Sequence, residues 1–402
     1  VNSLLPLLAV PLLGAGEPKL PTFRTQEIAN DLKVGYAVLL VDIDGDGKKD
    51  IVVVDTQRVV WYQNPTWKVR PITKPGQTAA DNVCIDAFDI DGDGQVDLAL
   101  GADWKPFNTK SGGTLQWLKR GKSLDEPWTV YPIGDEPTVH RIRFLDLDGS
   151  GKPKLVLCPL MGKNATKEQN WGDGAPVRVL AYSIPKDPTR DRWDSEVIDQ
   201  SMHVVHNFCG AVSPGRRGLD VLCASYEGVS LLTRAGDGGK WSRQLLGDGN
   251  QDNPKSNRGS SEVKIGKLKS GKKVIATIEP WHGHQVVVYT EPEKAGDKWT
   301  RHVIDDKLKW GHAVSFADLD GDGGDELIIG VRDDLSQKPG ERRGVRIYKA
   351  LDDVGSKWQR HDIDPGGVAV EDLAVGDLGD GRMSIVAVGR QTGNVRIYWN
   401  EK

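Results

Sequence analysis

VDIDGDGKKDIVVVD, from Val41 to Asp55, reads as two short apolar strands joined by a tight acidic turn. The valines and isoleucines on either side suit a pleated surface. Gly45 and Gly47 permit the tight turn. The acids at Asp42, Asp44, Asp46 and Asp50 alternate as the oxygen ligands of a calcium loop do. A strand, an acidic loop and a second strand therefore form a hairpin, here termed A and B.

Copies of this hairpin centre on Asp42, Asp89, Asp146, Val212, Lys267, Asp318 and Asp377, at spacings of 47 to 66 residues. Two further patterns keep step with it. A short apolar strand, C, often ends in an aromatic residue, as at Tyr62, Tyr182, Tyr289, Tyr348 and Tyr398. A fourth strand, D, places an aromatic residue five positions before an aliphatic one: Phe23 and Ile28, Trp67 and Ile72, Trp128 and Ile133, Trp193 and Ile198, Trp241 and Leu246, Trp299 and Ile304, Trp358 and Ile363. Seven units of four antiparallel strands predict an all-β, seven-bladed β-propeller. The chain ends on strand C of the seventh unit, while an orphan strand D, Phe23 to Ile28, precedes the first. The N-terminal strand is thus expected to complete the last blade and remove the free sheet edges.

The 47 Gly and 13 Trp of the 402 residues agree with many turns and aromatic-anchored strands. A net charge of -4 offers no field for a polyanion, so nucleic acid is not expected as a partner. The apolar run Leu4 to Leu13 is too short to span a bilayer but suits the core of an export signal, with Gly14, Ala15 and Gly16 following. It predicts a signal segment over 1–16, a propeller over 17–402, and a secreted or periplasmic location with no membrane span. Cys84, Cys158, Cys209 and Cys223 are too few for a disulfide scaffold. They suit buried packing, although Cys209 and Cys223 would face each other across one hairpin.

The acidic loops of Asp42, Asp44, Asp46 and Asp50, of Asp89, Asp91, Asp93 and Asp97, and of Asp318, Asp320, Asp322 and Glu326 are complete calcium patterns. The loop at Asp146, Asp148 and Ser150 has Lys154 where the closing acid belongs, and the one at Asp377 and Asp380 is contracted. In these loops residues 22–400 resemble the FG-GAP/VCBS repeat family. That resemblance implies structural Ca2+ pinning strand A to strand B, in proteins ranging from adhesion heads to lyases. Fold alone does not choose among those functions.

Six residues before each loop lies the mouth of the central channel: Tyr36, Val83, His140, His206, Ser261, His312 and Glu371. Strand A starts converge on the axis, so His140, His206 and His312 are expected to meet there. Three neutral imidazoles with an open fourth position suit Zn2+ or a similar divalent ion, with Glu371 as a further ligand or a base. The competing expectation is that these histidines only hold ordered water. The loops between B and C on the same face bring His282 and His284, with Trp281, from EPWHGH, and also Asp103, Lys105, Tyr226, Arg332, Asp333 and Arg390, a polar and aromatic ring suited to a sugar.

The arrangement also resembles the propeller part of the aldos-2-ulose dehydratase family, which joins such a propeller to cupin domains and carries zinc at the base of a cleft. The resemblance implies a metal-assisted carbohydrate lyase or dehydratase. His282, His284 or Glu371 would act as base, and Tyr226, Arg332 or Lys105 would protonate the leaving group or hold an anionic part of the substrate. The alternative is a non-catalytic propeller that binds a glycan or a protein at the cell surface.

Overall fold

The computed structural model describes residues 20–236, 238–253, 255–332 and 343–401. The expected export segment lies outside them, as does Asp333. The described residues form seven four-stranded antiparallel sheets, with every strand hydrogen-bonded to its neighbour in the order A, B, C, D. The innermost strands are Gly35–Val41, Cys84–Phe88, Arg141–Leu145, Asn207–Ala211, Val263–Lys267, Gly311–Ala317 and Val370–Asp377, and each packs against the next around a closed ring. The last blade takes its outer strand from the chain start: Phe23–Ala29 pairs with Val395–Asn400, from Phe23 opposite Asn400 to Ala29 opposite Val395. The ring is therefore closed as the orphan strand D predicts.

The B strands show why the fold needs closure. Asp50–Asp55, Asp97–Ala102, Asp220–Ser225 and Glu326–Val331 are buried at every residue, because both faces of each blade are covered by the neighbouring blades. The apolar core accordingly lies between blades. Ile51 and Val53 of blade 1 pack with Val386 and Val388 of blade 7, and Val274 and Ile278 of blade 5 pack with Leu327 and Ile329 of blade 6. The strand D tryptophans complete these seams. Trp128 and Trp193 are buried and the others half-buried, and the backbone N–H groups of Trp128 and Trp299 donate to the carbonyls of Ile72 and Leu246 on the preceding blade.

The aromatic end of strand C has a matching role. Tyr348 of blade 6 donates its hydroxyl to Asp305 Oδ2 at 2.7 Å, at the end of blade 5, and Tyr398 of blade 7 reaches Asp364 at the end of blade 6. Arg360 and Arg396 support the same two carboxylates. Glycine is required where strand C starts close to the end of strand D. At Gly344 φ is +120°, and a Cβ would lie 1.7 Å from the Asp364 carbonyl oxygen.

The cysteines correct one expectation. Strand register sets Phe208 opposite Cys223 and Cys209 opposite Leu222, so Cys209 and Cys223 point to opposite faces of their blade. Cys223 packs with Cys158 in the seam between blades 3 and 4, Cys209 packs in the seam between blades 4 and 5, and all four thiols are free.

The latch between blades predicts that Tyr348→Phe, which leaves the nearly buried Asp305 with one partner fewer, lowers stability by about 1–2 kcal/mol. Denaturant titration should show a shifted midpoint at unchanged slope. No loss of stability would remove the hydroxyl from the account of blade cohesion.

Candidate metal centre and its cavity

Six of the seven channel-mouth positions, Tyr36, Val83, His140, His206, His312 and Glu371, line one cavity of about 370 Å³. Ser261 does not. It is buried, and its hydroxyl donates to the Ile278 carbonyl. The position counted back from each acidic loop thus finds the axial ring, because every blade enters the axis in the same register.

The side chains that converge are His206, His282 and His312, whose ligand nitrogens all lie within 4.8 Å of one another. Nε2 of His206 is 2.8 Å from Nε2 of His282. Nδ1 of His312 faces the Glu371 carbonyl and so is the protonated nitrogen, which leaves Nε2 with its lone pair. Nδ1 of His206 lies 2.8 Å from Glu262 Oε1, which favours the same tautomer. Glu262 is itself buried and accepts from Asn207. Burial holds His282 and His312 well below the usual imidazole range and His206 below it, the last opposed by Glu262. The three rings are therefore neutral near pH 7. Imidazoles oriented by a carboxylate and a carbonyl behind them are the arrangement that zinc-ligating histidines use, so these residues fit such an ion.

His282 enters this group from the turn between strands B and C of blade 5, Lys273–Glu279 and Gln285–Thr290. The turn is so tight that a Cβ on Gly283 would fall 2.3 Å from the Glu279 backbone. His282 takes a φ of 51°, and the cavity-lining Trp171 and Trp310 each take 60°. Such left-handed residues cost about 1–3 kcal/mol each and gather at functional sites. Trp281 stacks on the His282 ring, with centroids 4.7 Å apart.

His140 corrects the expected trio. Its ring lies beside His206, centroids 4.7 Å apart, and against Trp104 at 5.0 Å, outside the group of converging nitrogens. It is buried and held well below the ordinary imidazole range by that burial, and its Nδ1 has no hydrogen-bond partner. His284 is exposed and absent from the cavity lining, so it does not share the role proposed for its neighbour. Lys105 is also outside the cavity, paired with Asp103 at 2.7 Å. Tyr226 is buried behind Trp281, bonded to Asn170, and pushed up to about 12 by burial, which makes it a poor proton donor. Glu371 and Arg332 do line the cavity. Glu371 is gripped by Arg332 at 3.1 Å and Arg390 at 2.8 Å, and its Oε1 is 3.9 Å from His312 Nε2.

Two features escape a reading by channel-mouth position alone. Trp104 and Trp310 wall the cavity beside the histidine rings, and Phe107 and Trp171 stand at its outer rim. One residue further along strand A, a second ring of Arg141, Asn207, Glu262 and Asp372 lines a polar cavity of about 230 Å³ behind the histidines. The +1 register would have found this second ring.

At the opposite end of the A strands, each acidic loop gathers three acids: Asp42, Asp44 and Asp50; Asp89, Asp91 and Asp97; Asp318, Asp320 and Glu326. The remaining acids, Asp46, Asp93 and Asp322, accept from N–H groups of their own turns. Burial pushes Asp50 and Asp97 up to about 6 and Glu326 up to about 7, a strain that a cation would relieve. In blades 2 and 6 the amines of Lys119 and Lys349 approach these acids, whereas blade 1 has Gln63 in the corresponding place.

Together, the described residues form a seven-bladed β-propeller whose axial histidines converge at the base of a cavity. Comparison with known proteins finds similar propellers. Residues 42–100 match the FG-GAP-like repeat family, and residues 112–292 match the family described as aldos-2-ulose dehydratase, beta-propeller domain. The chain is related to aldos-2-ulose dehydratase of Phanerodontia chrysosporium, with 29% identity over 272 residues. The match takes in 62% of this chain and 29% of that protein's length. The family segment contains His140, His206 and His282, while His312, Arg332 and Glu371 lie beyond it. Among solved structures, the extracellular domain of a hybrid two component system from B. thetaiotaomicron superposes with a TM-score of 0.56 at 14% identity, over 95% of this chain and 40% of that one. An Agrocybe aegerita lectin that recognises non-reducing terminal N-acetylglucosamine gives 0.53 at 14% identity, over 83% and 81%. Both show the fold.

The charge balance around Glu371 is open to a direct check. Glu371→Gln leaves Arg332, which is almost fully buried, without its counter-charge and should destabilise the fold by about 2–4 kcal/mol in denaturant titration. Unchanged stability would mean that water already solvates the two guanidinium groups well enough to replace the carboxylate.

Proposed function

We propose that this propeller is a metal-assisted carbohydrate lyase or dehydratase, which eliminates water or an alcohol from a sugar bearing a carbonyl or carboxylate. The observation that carries the reading is the convergence of three neutral, oriented imidazoles at the base of a cavity with aromatic and guanidinium walls. The relative's name, a sugar dehydratase, supports the same chemistry.

Nε2 atoms of His206, His282 and His312 would hold a zinc-like ion. Such an ion, when bound, polarises a substrate oxygen and acidifies the neighbouring C–H bond. Trp281, stacked on His282, and Glu262, behind His206, keep those rings in place. His140 is the base in this account. Its imidazole is neutral and lines the cavity beside His206. It takes the proton from the carbon next to the carbonyl and returns it to the departing hydroxyl or glycosidic oxygen as the C–O bond breaks and C=C forms. Arg332 and Arg390, steadied by Glu371, face the negative charge of a carboxylate or developing enolate.

Calcium in the three complete acidic loops would stabilise the blades from the other end of the A strands. Blade 1, where no lysine competes, would bind it most tightly. An exported protein would meet calcium at concentrations that fill sites of this kind.

Two measurements test these readings. Purified protein should carry about one zinc-like ion per chain. The ion should be lost in a combined His206→Ala, His282→Ala, His312→Ala variant that still folds. His140→Gln should retain the ion but form unsaturated product, followed by ultraviolet absorbance over oxidised sugars and uronates, about 100-fold or more slowly. An ion kept by the triple variant would overturn the assignment, and a folded protein with no such ion would favour a plain glycan binder. For calcium, saturation at about 100 times its dissociation constant adds about 2.7 kcal/mol per site. Chelation should therefore lower the melting temperature, least in a variant whose three loops carry Asn for Asp50 and Asp97 and Gln for Glu326. A melting temperature indifferent to chelator would remove calcium from the account.

A further inference from the structure

The rim of the cavity on the side of blades 2 and 3 carries an aromatic surface that the elimination chemistry leaves unused. Phe107 is 72% exposed, more than any other large apolar side chain among the described residues. Its ring stacks on Trp171, with centroids 5.8 Å and planes 25° apart, and both rings line the same cavity as the histidines. Folding leaves this ring in water, yet the loops beneath it are firmly tied. Thr109 donates its hydroxyl to the Ala165 carbonyl at 2.9 Å, Asn164 donates its N–H to the Thr109 carbonyl, and the Asn170 amide donates to the Ser256 carbonyl at 2.6 Å. Trp171 itself is buried. The result is a preformed aromatic face, which binds without an ordering cost.

Its chemistry is neutral. The cavity residues around it are Trp104, Pro106, Leu160 and Met161; of the three guanidinium groups in the lining, Arg332 and Arg390 belong to blades 6 and 7, and Arg141, on strand A of blade 3, is buried and turned to the His140 carbonyl. A flat aromatic face with a negative quadrupole suits the C–H face of a pyranose ring. The cavity, at about 370 Å³, is near the lower end of the roughly 300–1,000 Å³ of ligand pockets, so a chain longer than the reacting sugar must extend over the rim.

We infer that Phe107 and Trp171 form a second sugar subsite. It holds a neutral pyranose unit next to the one at the histidine cluster, so that the ligand is an oligosaccharide rather than a free monosaccharide. This rests on the carbohydrate reading above and sharpens it.

Titration calorimetry with gluco-oligosaccharides, from monomer to hexamer and with or without an oxidised terminal unit, tests it on the full chain. Affinity of the unaltered protein should rise from monomer to dimer. Phe107→Ala should weaken dimer and longer ligands by about three- to tenfold and leave the monomer unchanged, with Phe107→Trp restoring the loss. Because Phe107 is exposed, the alanine variant should melt as the parent does. Equal affinity for monomer and dimer, or an alanine variant that binds both as the parent does, would overturn the subsite while leaving the carbohydrate reading standing. Binding of no saccharide at all would overturn both. Sedimentation showing a dimer of the parent that Phe107→Ala abolishes would mean that a second copy covers the ring, and would overturn the subsite as well.

Discussion

Everything in this molecule depends on pairing between its two ends. Each blade buries both faces of its B strand against its neighbours, so a blade at the end of an open stack would expose an apolar face and an unpaired edge. Pairing of Phe23–Ala29 with Val395–Asn400 completes blade 7 and lets it pack on blade 1, which forces all seven A strands to enter the axis together. Residues far apart in sequence, such as His206, His282 and His312, can then share a few ångströms.

Closure also divides the molecule's chemistry. Acids gather where strand A turns into strand B, and imidazoles, guanidinium groups and indoles gather where strand A begins. The acids are partly open to water and to each other's repulsion. The imidazoles are neutral, two buried and that of His282 half-buried, with ligand nitrogens turned toward one another, an arrangement that asks for a proton or a cation between them. The buried Glu262 and the Glu371 carbonyl, set behind two of the three rings, bias the choice by holding the protons on Nδ1.

Much of this was legible because the sequence repeats. The acidic loop, the aromatic of strand D and the aromatic end of strand C recur in step, so blade number, strand order and the closing strand all followed. The register of strand A also named the cavity's ring of residues. What it did not settle was which side chains converge. His140 and His206 hold equivalent positions in adjacent blades, yet the Trp104 ring draws His140 aside, while His282 reaches the axis from a tight turn whose left-handed backbone no periodicity reports. Tyr226 and Lys105 had the right chemistry on the right loops, but one is buried behind Trp281 and the other is paired with Asp103. Loop conformation, unlike blade register, is set by local contacts that do not repeat. The same reason hid the platform of Phe107 on Trp171.

The account stands or falls on the meeting of three imidazoles at the axis. Anomalous X-ray diffraction from crystals of the full chain equilibrated with zinc, recorded on either side of the metal's absorption edge, tests it most directly. The account predicts one strong peak bounded by the Nε2 atoms of His206, His282 and His312. Density at the acidic loops alone, with those three rings joined only by hydrogen bonds, would contradict it.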